Sequence, residues 1–256
     1  AIAEALRQGY HITTIADLTK WNTFFIQKIL HIVQMERAIK GKRLDAIDID
    51  TLTRTKRMGF SDEYIAYILN NGVTELDVRE RRKALNILPE YKMVDTCAAE
   101  FEAETPYFYS TYEKSTQTFG ADRQDNPAAE GQRKPVSKKV LVIGSGPIRI
   151  AQGIEFDYCC VQAVMAVREA GLQAIIINNN PETVSTDYDI SDRLYFEPLA
   201  FEDVMNLIDH ERPDGVILQF GGQTSVNLAI PLQQELDRRK DLPTRILGTS
   251  AKFMDI

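Results

Sequence analysis

Apolar and polar positions follow two different periods along this chain. From residue 1 to about residue 88 apolar residues recur at helical spacing, and Ile26, Ile29, Leu30 and Val33 mark one buried helix face. Gly9 closes the first helix, Asn22 is placed to cap a long one reaching Lys40 before Gly41, and Asp50, Ser61 and Thr74 offer further caps, with Gly59 and Gly72 closing intervening helices. This predicts a helical domain without a sheet of its own. From residue 139 onward the pattern becomes strand and helix in alternation. Strands are predicted at Lys139–Ile143, Ala174–Asn178, Leu194–Phe196, Gly215–Phe220 and Arg245–Leu247, and helices at Gly153–Glu169, Phe201–Glu211 and Thr224–Arg239. Such alternation implies right-handed crossovers and a parallel, Rossmann-like sheet covered on both faces, so the fold class is α + α/β.

Between these regions the character changes. The stretch Thr105-Pro-Tyr-Phe-Tyr-Ser-Thr-Tyr112 is too aromatic for a solvated loop and is expected to lie against a core or a partner. We group it with the helices as a domain of residues 1–112, followed by a linker at 113–138, whose Gly, Pro and charged residues support no core, and an α/β subdomain at 139–256.

Composition narrows the functional classes. The apolar share of 44% and the charged share of 26% are those of a globular protein, and no apolar run approaches the roughly 20 residues of a membrane helix. Net charge is −7, and from Ser137 on 11 Lys and Arg face 17 Asp and Glu, which argues against a nucleic-acid surface there. The cysteines are Cys97 and the adjacent pair Cys159-Cys160, an odd count that favours a reducing cytoplasm over a disulfide scaffold; the pair reads as small buried hydrophobes in a helix. His11, His31 and His210 are scattered without ligand spacing, so no metal site is expected. The run Arg79-Glu-Arg-Arg-Lys83 reads as a solvated helix face. A helix-turn-helix around Leu69-Asn-Asn-Gly72 ranks below a structural role, because that domain carries almost no net charge.

Candidate chemistry gathers in the loops that follow the strands. Val140-Leu-Val-Ile143 empties into Gly144-Ser-Gly146, the usual opening of a ligand crevice, but Arg149 stands where a dinucleotide fingerprint needs its third glycine, and Asn178-Asn-Asn180 replaces the acidic residue that would hold a ribose. Arg149 and Gln152 lie on this loop, which runs to Gly153. The loop Asn178–Asp187 is polar at nearly every position and is read as a rigid, hydrogen-bonded loop presenting Asn180 and Thr183. Gly221-Gly222 turns a strand into a helix and can set Gln223 and Thr224 at the crevice, although taken alone the pattern reads first as a plain strand-to-helix connection capped by Thr224. Glu155, in the first turn of its helix, and Glu182, in the polar loop, read most simply as a dipole-stabilised carboxylate and a solvated loop residue; lining a path for a polar intermediate is the rival reading.

At these residues the chain resembles the carbamoyl-phosphate synthase large chains. The resemblance is carried by Gly144-Ser-Gly-Pro-Ile-Arg-Ile-Ala-Gln-Gly-Ile-Glu-Phe-Asp-Tyr158, Asn180-Pro-Glu-Thr-Val-Ser-Thr-Asp-Tyr188, Ser191-Asp-Arg-Leu-Tyr-Phe-Glu-Pro198, Gln219-Phe-Gly-Gly-Gln-Thr224 and, earlier, Tyr91-Lys-Met-Val-Asp-Thr-Cys-Ala-Ala-Glu-Phe101 with Tyr109-Ser-Thr-Tyr-Glu113. It implies an oligomerisation domain followed by the pre-ATP-grasp subdomain of the carboxyl-terminal synthetase unit, in an ATP-dependent ligase making carbamoyl phosphate for arginine and pyrimidine synthesis. It implies ATP, Mg or Mn, and K as cofactors of the intact enzyme, none bound by this segment, with self-association and a small glutaminase chain as partners. It also assigns Gly153, Glu155 and Glu182 to the wall of a carbamate tunnel, which reverses the preference for the simpler reading of the two glutamates. No catalytic residue is expected within the segment. The family pattern is broken by Ala151, which replaces a usual glycine, and by a longer linker. Both chain ends, one without Met and one just after a Thr249-Ser250 cap, are expected to be cut from a longer polypeptide.

Overall fold

In a computed structural model, residues 1–98, 100–101, 105–114, 138–147 and 154–254 are described. The chain divides into two compact units, Ala1–Leu88 and Pro89–Ile256.

The first unit contains α1 (Ile2–Arg7), α2 (Ile12–Thr19), α3 (Thr23–Ile39), α4 (Ile49–Arg57), α5 (Asp62–Leu69) and α6 (Glu75–Ala84), with no strand. Its caps are those of polar side chains meeting the free amides of a helix start. Asn22 accepts from Phe24 N at 2.8 Å, Ser61 from Tyr64 N at 3.0 Å, and Thr74 forms a capping box with Asp77. For α4 the cap is Asp48, which accepts from Thr51 N at 2.8 Å, while the expected cap Asp50 sits inside the first turn. Leu6, Ile15, Ile26 and Val33 form one core cluster, flanked by Ile29 and Leu30 as the periodicity requires.

The run at residues 79–83 is not a solvated face. Arg79 and Arg82 are 1% and 0% exposed. Arg82 Nε reaches Asp62 Oδ2 at 2.7 Å and Lys56 Nζ reaches Asp62 Oδ1 at 3.0 Å, so a buried carboxylate on α5 draws two cations inward. Asp62 lies 20 residues before Arg82, and a charge run read locally gives no sign of it.

The second unit is built on a seven-stranded sheet of order β1-β2-β5-β4-β3-β6-β7, with β1 (Glu90–Met93), β2 (Tyr107–Thr111), β3 (Lys139–Ile143), β4 (Gln173–Asn178), β5 (Arg193–Phe196), β6 (Gly215–Ile217) and β7 (Arg245–Leu247). All neighbours run parallel except β1 and β2. The fold is therefore α + α/β. Residues 89–112, grouped above with the helices, supply two strands of this sheet, and the boundary between units falls at Leu88. The aromatic stretch does lie against a core: Phe108 stacks on Tyr195 with ring centroids 5.3 Å apart, and Tyr107 meets Phe196 edge-on at 5.5 Å. The proposed linker falls almost wholly outside the described residues.

Helices α7 (Glu155–Glu169), α8 (Phe201–Glu211), α9 (Gly222–Val226), α10 (Ala229–Arg238) and α11 (Ala251–Met254) complete the unit. Alternate strand residues supply two faces. Leu141, Ile143, Ile175 and Ile177 pack with residues of α8 and α10, while Val142, Ala174 and Ile176 pack with Cys160 and Val164 of α7. Two predicted elements are shorter than expected. β6 stops at Ile217 because the Leu218 carbonyl is taken by Ser225 Oγ at 2.6 Å, and the helix predicted over 224–239 is two helices, with Pro231, which lacks an N–H, in the first turn of the second.

Candidate functional site

The chain passes from β3 to β4 and β5 on one side and then returns to place β6 on the other side of β3, so the carboxyl ends of β3 and β6 form the switch point where an open parallel sheet leaves a crevice. The two glycine turns meet there. A Cβ on Gly221 would lie 2.3 Å from Gly144 O and 2.7 Å from Ile143 O, so only glycine lets the β6 turn touch the backbone of the β3 turn. Thr224 borders the same place: its Cγ2 lies near Gly146, and its Oγ1 is buried with no hydrogen-bond partner among the described residues. Gln223 is exposed and donates to Asn227 Oδ1.

On the β4 side, Asn178 is fully buried at the end of an isoleucine strand, and its side chain makes four hydrogen bonds. Its Oδ1 accepts from Gly146 N at 3.0 Å and Asn179 N at 2.9 Å; its Nδ2 donates to Thr183 Oγ1 at 3.3 Å and Ser185 Oγ at 3.4 Å. The adjoining loop is as internally bonded as its composition predicts. Thr183 Oγ1 donates to Asn180 O at 3.0 Å, Glu182 N to Asn180 Oδ1 at 3.1 Å, and a 3-10 turn spans Val184–Thr186.

Glu155 and Glu182 are both exposed, one opening α7 and the other in this loop. What joins their elements is Asp157, a buried residue one half-turn into α7, whose Oδ2 accepts from Val184 N at 2.8 Å and Oδ1 from Ser185 N at 3.2 Å. Gly144, Gly146, Asn180, Thr183, Gln223 and Thr224 thus belong to the loops at one edge of the sheet. Arg149, Gln152 and Gly153 lie outside the described residues, as does Ala151.

Three buried polar residues that hold these loops were not singled out from the sequence. Asn178 had a signal, since an amide that ends a buried apolar strand must find partners inside. Asp157 had only that of an acidic residue near a helix start. The third, Glu197, follows a predicted strand, and what the sequence did not show is its partner: the buried carboxylate accepts from Ser110 N and, at 2.9 Å, Ser110 Oγ, 87 residues away. Burial pushes the Glu197 carboxyl up from its ordinary value, and the two Ser110 bonds oppose that. Leu199, two residues on, closes against Gly146. No three His, Cys, Asp or Glu residues come together as a metal site among the described residues, and no helix there is long and apolar enough to cross a membrane.

Residues 1–86 match the family model described as carbamoyl-phosphate synthetase large chain, oligomerisation domain, and residues 136–256 match that described as carbamoyl phosphate synthase preATP-grasp domain. Over its whole length the chain is 53% identical to the carbamoyl phosphate synthase large chain of Methanosarcina mazei, 52% identical to that of Methanosarcina acetivorans and 52% identical to that of Methanothrix thermoacetophila. It spans 22% of the length of each of these relatives. Matching models on both units and relatives similar across the whole chain agree: it belongs to the family of carbamoyl phosphate synthase large chains.

Proposed function

We propose that this chain is a segment of a cytoplasmic, ATP-dependent ligase that makes carbamoyl phosphate from bicarbonate, glutamine-derived ammonia and two ATP, serving arginine and pyrimidine synthesis. In the intact enzyme ATP, Mg or Mn, and K act in portions outside this segment, and a small glutaminase chain supplies ammonia. The segment contributes self-association and one wall of the carbamate passage, to which Gly153, Glu155 and Glu182 are assigned. The observation that supports the passage most directly is the hydrogen-bonded loop of Glu182 fastened to the helix that Glu155 opens. Carbamate decomposes in water, so a rigid wall that excludes solvent protects it between two active sites. A carboxylate wall repels a free anion, and the form it favours is the protonated acid, whose O–H and N–H groups donate to the glutamates.

Replacing Glu155 or Glu182 by Ala in the intact enzyme should leave ATP consumption running while carbamoyl phosphate output falls. Unchanged ATP use per product in both variants refutes the passage. By calorimetry the segment alone should show no micromolar ATP binding, and a titration that does show it refutes the assignment of ATP to other portions. Self-association is supported by the exposed apolar side chains Leu18, Trp21, Phe24 and Phe25 around the α2–α3 turn. Sedimentation equilibrium should show a lower association state for a Trp21→Ser/Phe25→Ser variant, and an unchanged state removes this surface from consideration.

A further inference from the structure

We infer that Asp157 is the positioning residue that ties the loop of Glu182 to the helix that Glu155 opens, an inference that rests on the passage reading above. The ordinary role of an acidic residue in a first helical turn is to meet the amides of its own helix. Asp157 does otherwise. The cap position of α7, Ile154, makes no side-chain cap bond, and both Asp157 oxygens accept from another segment, Val184 N at 2.8 Å and Ser185 N at 3.2 Å. Those two amides open the 3-10 turn Val184–Thr186 and have no carbonyl of that turn to bond, so the carboxylate caps a turn 27 residues away from it in sequence.

The same loop is gripped from the opposite side by Asn178, whose amide donates to Ser185 Oγ while its carbonyl oxygen accepts from Gly146 N. Ser185 is therefore held through its backbone by α7 and through its hydroxyl by the strand end that holds the glycine turn. Glu155 lies two residues before Asp157, and Glu182 two residues before Val184. Each glutamate is thus within two residues, at most about 7 Å of chain, of one end of this bond. An asparagine at 157 keeps the shape but turns one acceptor into an N–H pair facing a backbone N–H, which removes the double grip without emptying the site.

The test uses the intact large chain with its glutaminase. Asp157→Asn should raise ATP consumed per carbamoyl phosphate at least threefold, while bicarbonate-dependent ATP hydrolysis and ATP formation from ADP and carbamoyl phosphate stay within twofold of wild type. A residue that merely holds the fold would depress these partial reactions together with coupling. Val184→Pro deletes one donor from the loop side and leaves the carboxylate intact; Thr183 is already extended at φ −102°, ψ 152°, as a residue before proline must be. It should uncouple in the same sense, and it carries the test if Asp157→Asn does not fold. Adding Glu182→Ala to Asp157→Asn should uncouple no further than Glu182→Ala alone. Wild-type coupling in folded Asp157→Asn and Val184→Pro, with Glu155→Ala and Glu182→Ala uncoupled, overturns the positioning role alone. Wild-type coupling in the two glutamate variants overturns the passage reading beneath it.

Discussion

Replacing Glu211 by Gln should destabilise the α/β unit by about 2 to 3 kcal/mol at neutral pH, and the deficit should shrink in acid. Glu211 ends α8, and its side chain is 1% exposed. Burial pushes its carboxyl upward, but Arg193 Nη1 at 2.6 Å, Lys139 Nζ at 2.8 Å and the Tyr195 hydroxyl outweigh burial and hold it at about 2, below the ordinary 4.5. The folded state therefore binds this proton less readily than the unfolded chain. Its stabilisation is complete above the unfolded value and is lost as the pH falls through the folded one. The full gap corresponds to roughly 3 kcal/mol. Lys139 and Arg193 keep 29% and 34% exposure, so water screens part of the attraction and the lower figure bounds the range. More than half of the difference between wild type and Glu211→Gln should be gone by about pH 3. Urea-dependent hydrogen exchange at the amides of Leu141, Ile176 and Leu194, buried in central strands, reads the α/β unit alone. A deficit that is the same at pH 7 and pH 3 would refute the reasoning. Because Lys139 and Arg193 begin their strands, this strongly shifted group lies at the amino edge of the sheet, away from the crevice, and its role is to hold α8.

Other perturbations address the remaining parts of the molecule. Asp62→Ala removes the buried carboxylate that Lys56 and Arg82 reach and should lower the stability of the helical unit by about 3–5 kcal/mol in urea unfolding followed by Trp21 fluorescence; a loss under 1 kcal/mol contradicts the burial argument. Gly221→Ala forces a methyl group onto Gly144 O and should cost roughly 1–3 kcal/mol, seen as a lower thermal midpoint, whereas an unchanged midpoint would mean the two turns part easily. Burial pushes the Cys160 thiol up to about 12, so iodoacetamide at pH 8 should spare it in the folded chain and modify it in urea; rapid labelling of the folded chain counts against a buried, inert thiol.

Local chemistry was readable where the signal is local. The strands Lys139–Ile143 and Arg245–Leu247 and the helix Phe201–Glu211 lie where hydrophobic periodicity places them, and Asn22, Ser61 and Thr74 cap the helices they were expected to cap. The bonded character of the loop after β4 followed from its Asn, Ser and Thr content, because those side chains meet backbone groups only a few residues away. Failures arose where a partner is distant. Arg82 reads as solvated in the sequence because its partner Asp62 lies on another helix, and the aromatic stretch at 105–112 could be judged buried but not assigned to β5.

By itself the sequence determined the helical region before residue 89, the strand and helix alternation from residue 139 on, the failure of the dinucleotide fingerprint and the resemblance to the carbamoyl-phosphate synthase large chains, all carried by neighbouring residues. The tertiary structure alone decided that residues 89–112 complete the sheet, that Asp157 and Asn178 grip one loop from two sides, and that Glu197 and Glu211 take partners from remote segments. Hydrogen bonds and charge pairs act over a few ångströms of space, and which side chains come within that reach is set by strand order, which no local pattern encodes.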